Sequence, residues 1–170
     1  MDYVASISAF KVETSHFLAV EGILKDEMLS FLFDTGAAVS LISPNSLFGA
    51  GEEESRIRFE QIVKSELAAQ RVDAWEKTYK TANNQEVNTY PCVSHGVSVG
   101  GSRQMDFYFD FTFDDVNLPL LGTAFSDDCS YSHTINGSLV ITGMKDNPGF
   151  SFYSGRNVLD FDVVMEKYNK

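Results

Sequence analysis

The sequence predicts a mostly β domain with one amphipathic helical segment inserted into it. Three observations predict this. Fourteen Phe and seven Tyr stand against only four Pro, a composition suited to strands. Several runs alternate apolar and polar residues with the period of two that a half-buried strand requires. One stretch alone, from Glu52 to Thr78, changes to helical spacing. At 170 residues the chain is read as a single domain, residues 1–170, long enough to bury a real core.

Tyr3, Ala5, Ile7 and Ala9 alternate and predict a first strand. Phe17 to Leu24 and Met28 to Phe33 predict two more, joined by the polar turn Lys25-Asp26-Glu27. Ser43-Pro44-Asn45 has the chemistry of a helix start, a capping hydroxyl followed by proline in the first turn. The inserted helical segment spans about 50–78. Its apolar face is Ile57, Phe59, Ile62, Val63, Leu67, Val72 and Trp75, and Glu52, Glu53 and Glu54 suit its N-terminus. Core packing, rather than partner binding, is the expected use of that face.

A hairpin is expected over about 79–90, from Tyr79 through the turn Asn83-Asn84-Gln85 to Tyr90. Asparagine tolerates the left-handed backbone that such a turn needs. Strands follow at Val93–Val99 and Met105–Phe113, with Phe107, Phe109, Phe111 and Phe113 on one face that must be buried. Leu118-Pro119-Leu120-Leu121-Gly122 is an apolar run ending in glycine, and a short helix is expected over Thr123–Ser130 in the C-terminal half. Leu139–Thr142, Phe150–Phe152 and the tail Val158–Met165 all read as strands.

Charge and motifs exclude several functions. The net charge of −11 with no basic cluster argues against nucleic acid, whose binding depends on Lys and Arg. No run approaches 18 apolar residues, and no signal peptide is expected at the N-terminus, so a cytoplasmic protein without membrane partners is the expectation. Cys92 and Cys129 lack a CxxC spacing and are expected to be thiols. His16, His95 and His133 have no ligand spacing, so neither a metal nor another cofactor is expected. There is no G-x-S-x-G elbow, and Gly96–Gly101 lacks the Lys-Ser/Thr of a phosphate loop.

The segment that carries chemistry is Phe31-Leu32-Phe33-Asp34-Thr35-Gly36-Ala37. An apolar strand runs into a carboxylate, and the apolar run resumes at Ala37. A carboxylate between apolar flanks is costly unless it is hydrogen-bonded or used. Gly36 permits a tight turn, and Thr35 and Ser40 offer hydroxyls to fix it.

These residues resemble the signature of the retropepsin-like aspartic proteases, an apolar pair, then Asp-Thr/Ser-Gly-Ala, then Thr or Ser three residues on. The order of three pieces strengthens the resemblance: Asp34-Thr35-Gly36, then the hairpin about Thr81–Tyr90, then Leu120-Leu121-Gly122. Leu120–Phe125 is similar to the Leu-Leu-Gly segment of cellular and bacterial members. The resemblance implies a closed retropepsin-like acid protease β-barrel with a short helix in its C-terminal half. It implies Asp34 as the catalytic residue, with Thr35, Gly36, Ala37, Ser40, Leu120, Leu121 and Gly122 supporting its loop. Thr81, Ala82, Asn83, Asn84, Gln85 and Glu86 would form the flap over a peptide substrate. Only one Asp-Thr-Gly is present, so the two-carboxylate chemistry requires a homodimer. The chain departs from viral members at Ala38 and Thr123, where those often carry Asp and Arg, and its hairpin tip is not glycine-rich. The rival expectation is a non-catalytic dimerising or peptide-binding module that keeps the fold.

Overall fold

The computed structural model describes residues 3–7, 9–11, 18–24, 27–33, 37–49, 51–74, 79–80, 86–99, 104–114, 120–122, 130–133, 139–144, 147 and 149–170. Its first strands are β1 (Tyr3–Ile7), β2 (Ala9–Lys11), β3 (Leu18–Leu24) and β4 (Glu27–Phe33). β3 and β4 form the expected antiparallel hairpin, in register from Leu18↔Phe33 to Leu24↔Glu27. The chain then gives β5 (Leu41–Ile42), α1 (Pro44–Leu47) and α2 (Glu53–Ala69). The N–H of Ser43 donates to Ser46 Oγ at 3.1 Å, and Pro44 occupies the first turn, where its missing N–H costs nothing.

β6 (Tyr79–Lys80) and β7 (Glu86–Val87) pair antiparallel, Tyr79↔Val87 and Lys80↔Glu86, as the two arms of the expected hairpin. Tyr90 belongs to the next strand, so the hairpin is shorter than expected at that end. β8 (Tyr90–Val99) and β9 (Met105–Phe111) form a long antiparallel pair. β10 (Leu120–Leu121), β11 (Ser130–His133), β12 (Leu139–Met144), α3 (Phe150–Tyr153), β13 (Leu159–Asp160) and α4 (Phe161–Tyr168) complete the order.

Eight strands make one mixed sheet in the order β13-β8-β9-β5-β10-β4-β3-β2. β3 also meets β8 at Gly22↔Val99 and Ile23↔Ser98. Among the described residues, two residue pairs are all that join the curl on that side. The observed form is therefore a curled mixed sheet where a closed barrel was expected. β1, β12 and β11 form a separate three-stranded sheet.

Three further expectations need correction. Ser130 opens strand β11 rather than ending a helix, and 123–129 lie outside the described residues. Phe150–Phe152 is helical, within α3: the N–H of Phe152 donates to the Gly149 carbonyl and that of Phe150 to the Asn147 carbonyl, each at 3.1 Å, so these backbone bonds close local turns rather than a ladder, with Tyr153 buried and Phe150 and Phe152 exposed. The tail is a strand for only two residues. Asp160 then caps α4, its side chain accepting from the N–H of Asp162, and Phe161, Val164 and Met165 turn inward at helical spacing.

The core lies between the sheet and the two longer helices. Phe107, Phe109 and Phe111 are buried as expected, whereas Phe113 is half-buried. Phe31 meets Phe107 edge-on at 5.6 Å between ring centres, and Phe109 meets Phe161 at 5.1 Å. Phe59 of α2 contacts Phe161 and Tyr168 of α4 at 5.9 and 5.6 Å. The inserted helix thus buries Phe59, Val63 and Leu67 against the domain. Ile57, expected on that face, is exposed, and Trp75 lies outside the described residues. Among the described residues, no helix is long and apolar enough to cross a membrane.

Candidate active-site loop

β4 ends at Phe33 and β5 begins at Leu41, so residues 34–40 connect two strands that do not pair with each other. β10 lies between them. It runs parallel to β4 at Leu120↔Leu32 and Leu121↔Phe33, and antiparallel to β5 at Leu120↔Leu41. The connection must therefore pass across the end of β10, where Gly122 follows.

That crossing is tight. A Cβ on Gly122 would stand 2.3 Å from the Val39 carbonyl oxygen and 2.9 Å from that of Ala37. Real Cβ contacts do not come so close, so glycine is required here for approach. The N–H of Gly122 donates to Ser40 Oγ at 3.1 Å in a buried bond. Ser40 is itself 1% exposed, so this hydroxyl supplies a buried donor with the partner it needs. Leu121 is fully buried beneath the loop.

The fold thus brings Ala37, Ser40, Leu120, Leu121 and Gly122 together from two regions about eighty residues apart. Asp34, Thr35 and Gly36 lie outside the described residues, as do Thr81, Ala82, Asn83, Asn84 and Gln85. Glu86 is described; it is exposed and sits in β7 opposite Lys80.

A buried carboxylate supports the loop from behind, and sequence reasoning missed it. Asp110 is 0% exposed. Its N–H donates to the Ser40 carbonyl at 2.8 Å. Its carboxylate accepts from Thr89 Oγ1 at 2.6 Å and from the Tyr153 hydroxyl at 2.8 Å. Thr89 follows the β6–β7 hairpin and Tyr153 belongs to α3, so one side chain ties three segments together. The signal was present as an Asp inside the aromatic run Phe107-Tyr108-Phe109-Asp110-Phe111, on the face opposite the phenylalanines. Alternation alone assigns that face to solvent, but α3 covers it, with Tyr153 stacked on Tyr108 at 5.4 Å. Cys92 is a buried free thiol. Burial, and secondarily the charge of Asp110, push its pKa well up, so it is no nucleophile.

No family model and no curated protein sequence matches the chain. Among solved structures it is similar to the crystal structure of a retropepsin-like aspartic protease from Rickettsia conorii. The match has a TM-score of 0.52 at 15% identity and covers 84% of this chain and 94% of that one. At such identity the likeness carries the fold: this chain has a retropepsin-like fold.

Proposed function

We propose that the chain is an aspartic endopeptidase, acting as a homodimer in which each subunit contributes Asp34. The observation that carries this reading is the clasp of Ser40 and Gly122, which fixes the C-terminal side of the Asp34-Thr35-Gly36 segment against β10. A buried clasp of this kind suits a loop that must aim one carboxylate at another.

In this reading two Asp34 carboxyls stand about 3 Å apart and share one proton, because both cannot ionise at that separation. The ionised member takes a proton from a bound water as the water attacks the scissile carbonyl carbon. The protonated member donates to the carbonyl oxygen. The pair titrates as a unit, so activity should be bell-shaped in pH with an acidic to mildly acidic optimum. Thr35 and Gly36 hold the loop, and Thr81–Glu86 would lie over an extended peptide and offer it backbone hydrogen bonds. The buried thiol of Cys92 suits a reducing, cytoplasmic compartment. The inserted helix α2 uses its apolar face against Phe161 and Tyr168, which leaves that face no role over a cleft.

The test is a peptide-library digest from acidic to neutral pH, comparing wild type with Asp34→Asn. Cleavage by the wild type alone supports the reading. Cleavage retained in purified Asp34→Asn refutes the role of Asp34. A folded dimer that binds extended peptides yet cleaves none would favour the non-catalytic module.

A further inference from the structure

β13 pairs parallel with β8 at Leu159↔Cys92 and Asp160↔Val93. This pairing sets the acidic turn before α4 beside Ser94 and His95, residues more than sixty positions away in the sequence. One ring nitrogen of His95 and one carboxylate oxygen each from Asp160 and Asp162 lie within 4.8 Å of one another. We propose that His95, Asp160 and Asp162 form a binding site for a divalent transition-metal cation of the zinc type, with Asp106 as the outer carboxylate that orients the imidazole.

Each ligand is held by a bond of its own. His95 Nδ1 lies 2.8 Å from Asp106 Oδ1. A carboxylate on one ring nitrogen fixes the tautomer and leaves the other as the lone-pair donor, the arrangement that metal-binding histidines use. Asp162 Oδ1 accepts from Ser94 Oγ at 2.6 Å, and its Oδ2 accepts from the His95 N–H at 3.1 Å. Ser94 is fully buried, so this anchor is rigid. Asp160 Oδ1 accepts from the Asp162 N–H at 3.1 Å.

Ligand atoms about 2.1 Å from a tetrahedral zinc stand about 3.4 Å from one another, so the three atoms, now within 4.8 Å, would draw together on the ion. Three carboxylates, those of Asp106, Asp160 and Asp162, lie about one imidazole. The imidazole separates this group from an ordinary acidic surface patch. One nitrogen and two carboxylate donors suit zinc, cobalt or manganese, whereas magnesium and calcium favour all-oxygen sets. Three protein ligands leave a fourth position for water.

The experiment is calorimetric titration of the metal-stripped full chain with zinc chloride. Wild type should take up zinc at one saturable site. His95→Gln and Asp160→Asn should each weaken binding at least about tenfold. Asn keeps the helix cap that Asp160 provides, so the second variant retains its fold. Loading with cobalt should give a spectrum without a thiolate charge-transfer band, which separates this site from the cysteines. No saturable zinc binding by the wild type would overturn the proposal. Unchanged affinity in folded Asp160→Asn, a thiolate band, or displacement by excess magnesium would overturn it equally.

Discussion

Gly122 stands so close to Val39 that the Val39 carbonyl oxygen would lie 2.3 Å from any Cβ added to it. The contact is backbone against backbone, so no flexible side chain can yield. Gly122→Ala is expected to destabilise the fold by about 2–3 kcal/mol. Ser40→Ala removes the acceptor of the buried Gly122 N–H and is expected to cost about 1–3 kcal/mol. Urea denaturation of both variants checks this. Wild-type stability in Gly122→Ala would mean that the loop does not cross β10 as described.

Asp110 is expected to matter more than any surface charge. Asp110→Ala strips the partner from two hydroxyls, those of Thr89 and Tyr153, inside a site closed to water. A loss of about 3 kcal/mol is expected, and about 1 kcal/mol for Tyr153→Phe, which removes one donor only. If the double variant costs no less than the sum of the singles, the two side chains are not coupled as the structure has them.

Glu66 gives a pH dependence with a defined sign. Its carboxyl is held below the ordinary range, first by the hydrogen bond from Lys167 Nζ, then by that from Gln70; burial works against both. A carboxyl lowered in the folded state contributes stability at pH above its unfolded value of about 4.3. That contribution is lost as pH falls through the lowered folded value. Lys167 is half-exposed, so the pair is worth about 1 kcal/mol. Lys167→Met should therefore be less stable than wild type at neutral pH and match it in strong acid. Thermal melts across that range test it; a gap that widens in acid would contradict the sign.

The β3–β4 hairpin and the start of α1 were legible because each rests on local chemistry or a strong apolar pattern, whereas the approach of Leu121-Gly122 to Ser40, some eighty residues away, was expected only through the resemblance. The tail was not. Leu159, Phe161, Val163 and Met165 alternate like a strand, yet Phe161, Val164, Met165 and Tyr168 also follow helical spacing. The cap at Asp160 and the packing of Phe161 on Phe59 decide for the helix. Asp110 was missed for a tertiary reason: its face of β9 is covered by α3, which comes forty residues later. His95 and Asp162 were missed likewise, because the parallel β8–β13 pairing that joins them leaves no trace in local spacing.

If two Asp34 carboxyls, one from each subunit, act as one catalytic unit, a subunit that lacks one silences its partner. The most direct measurement is the peptidase activity of wild type refolded together with increasing Asp34→Asn protein at constant total concentration. With one Asp34 from each subunit required, only wild-type pairs are active. Total activity should then fall as the square of the wild-type fraction, to about one quarter in an equal mixture. A linear fall, to about one half, would mean that each chain works alone, and would contradict the account.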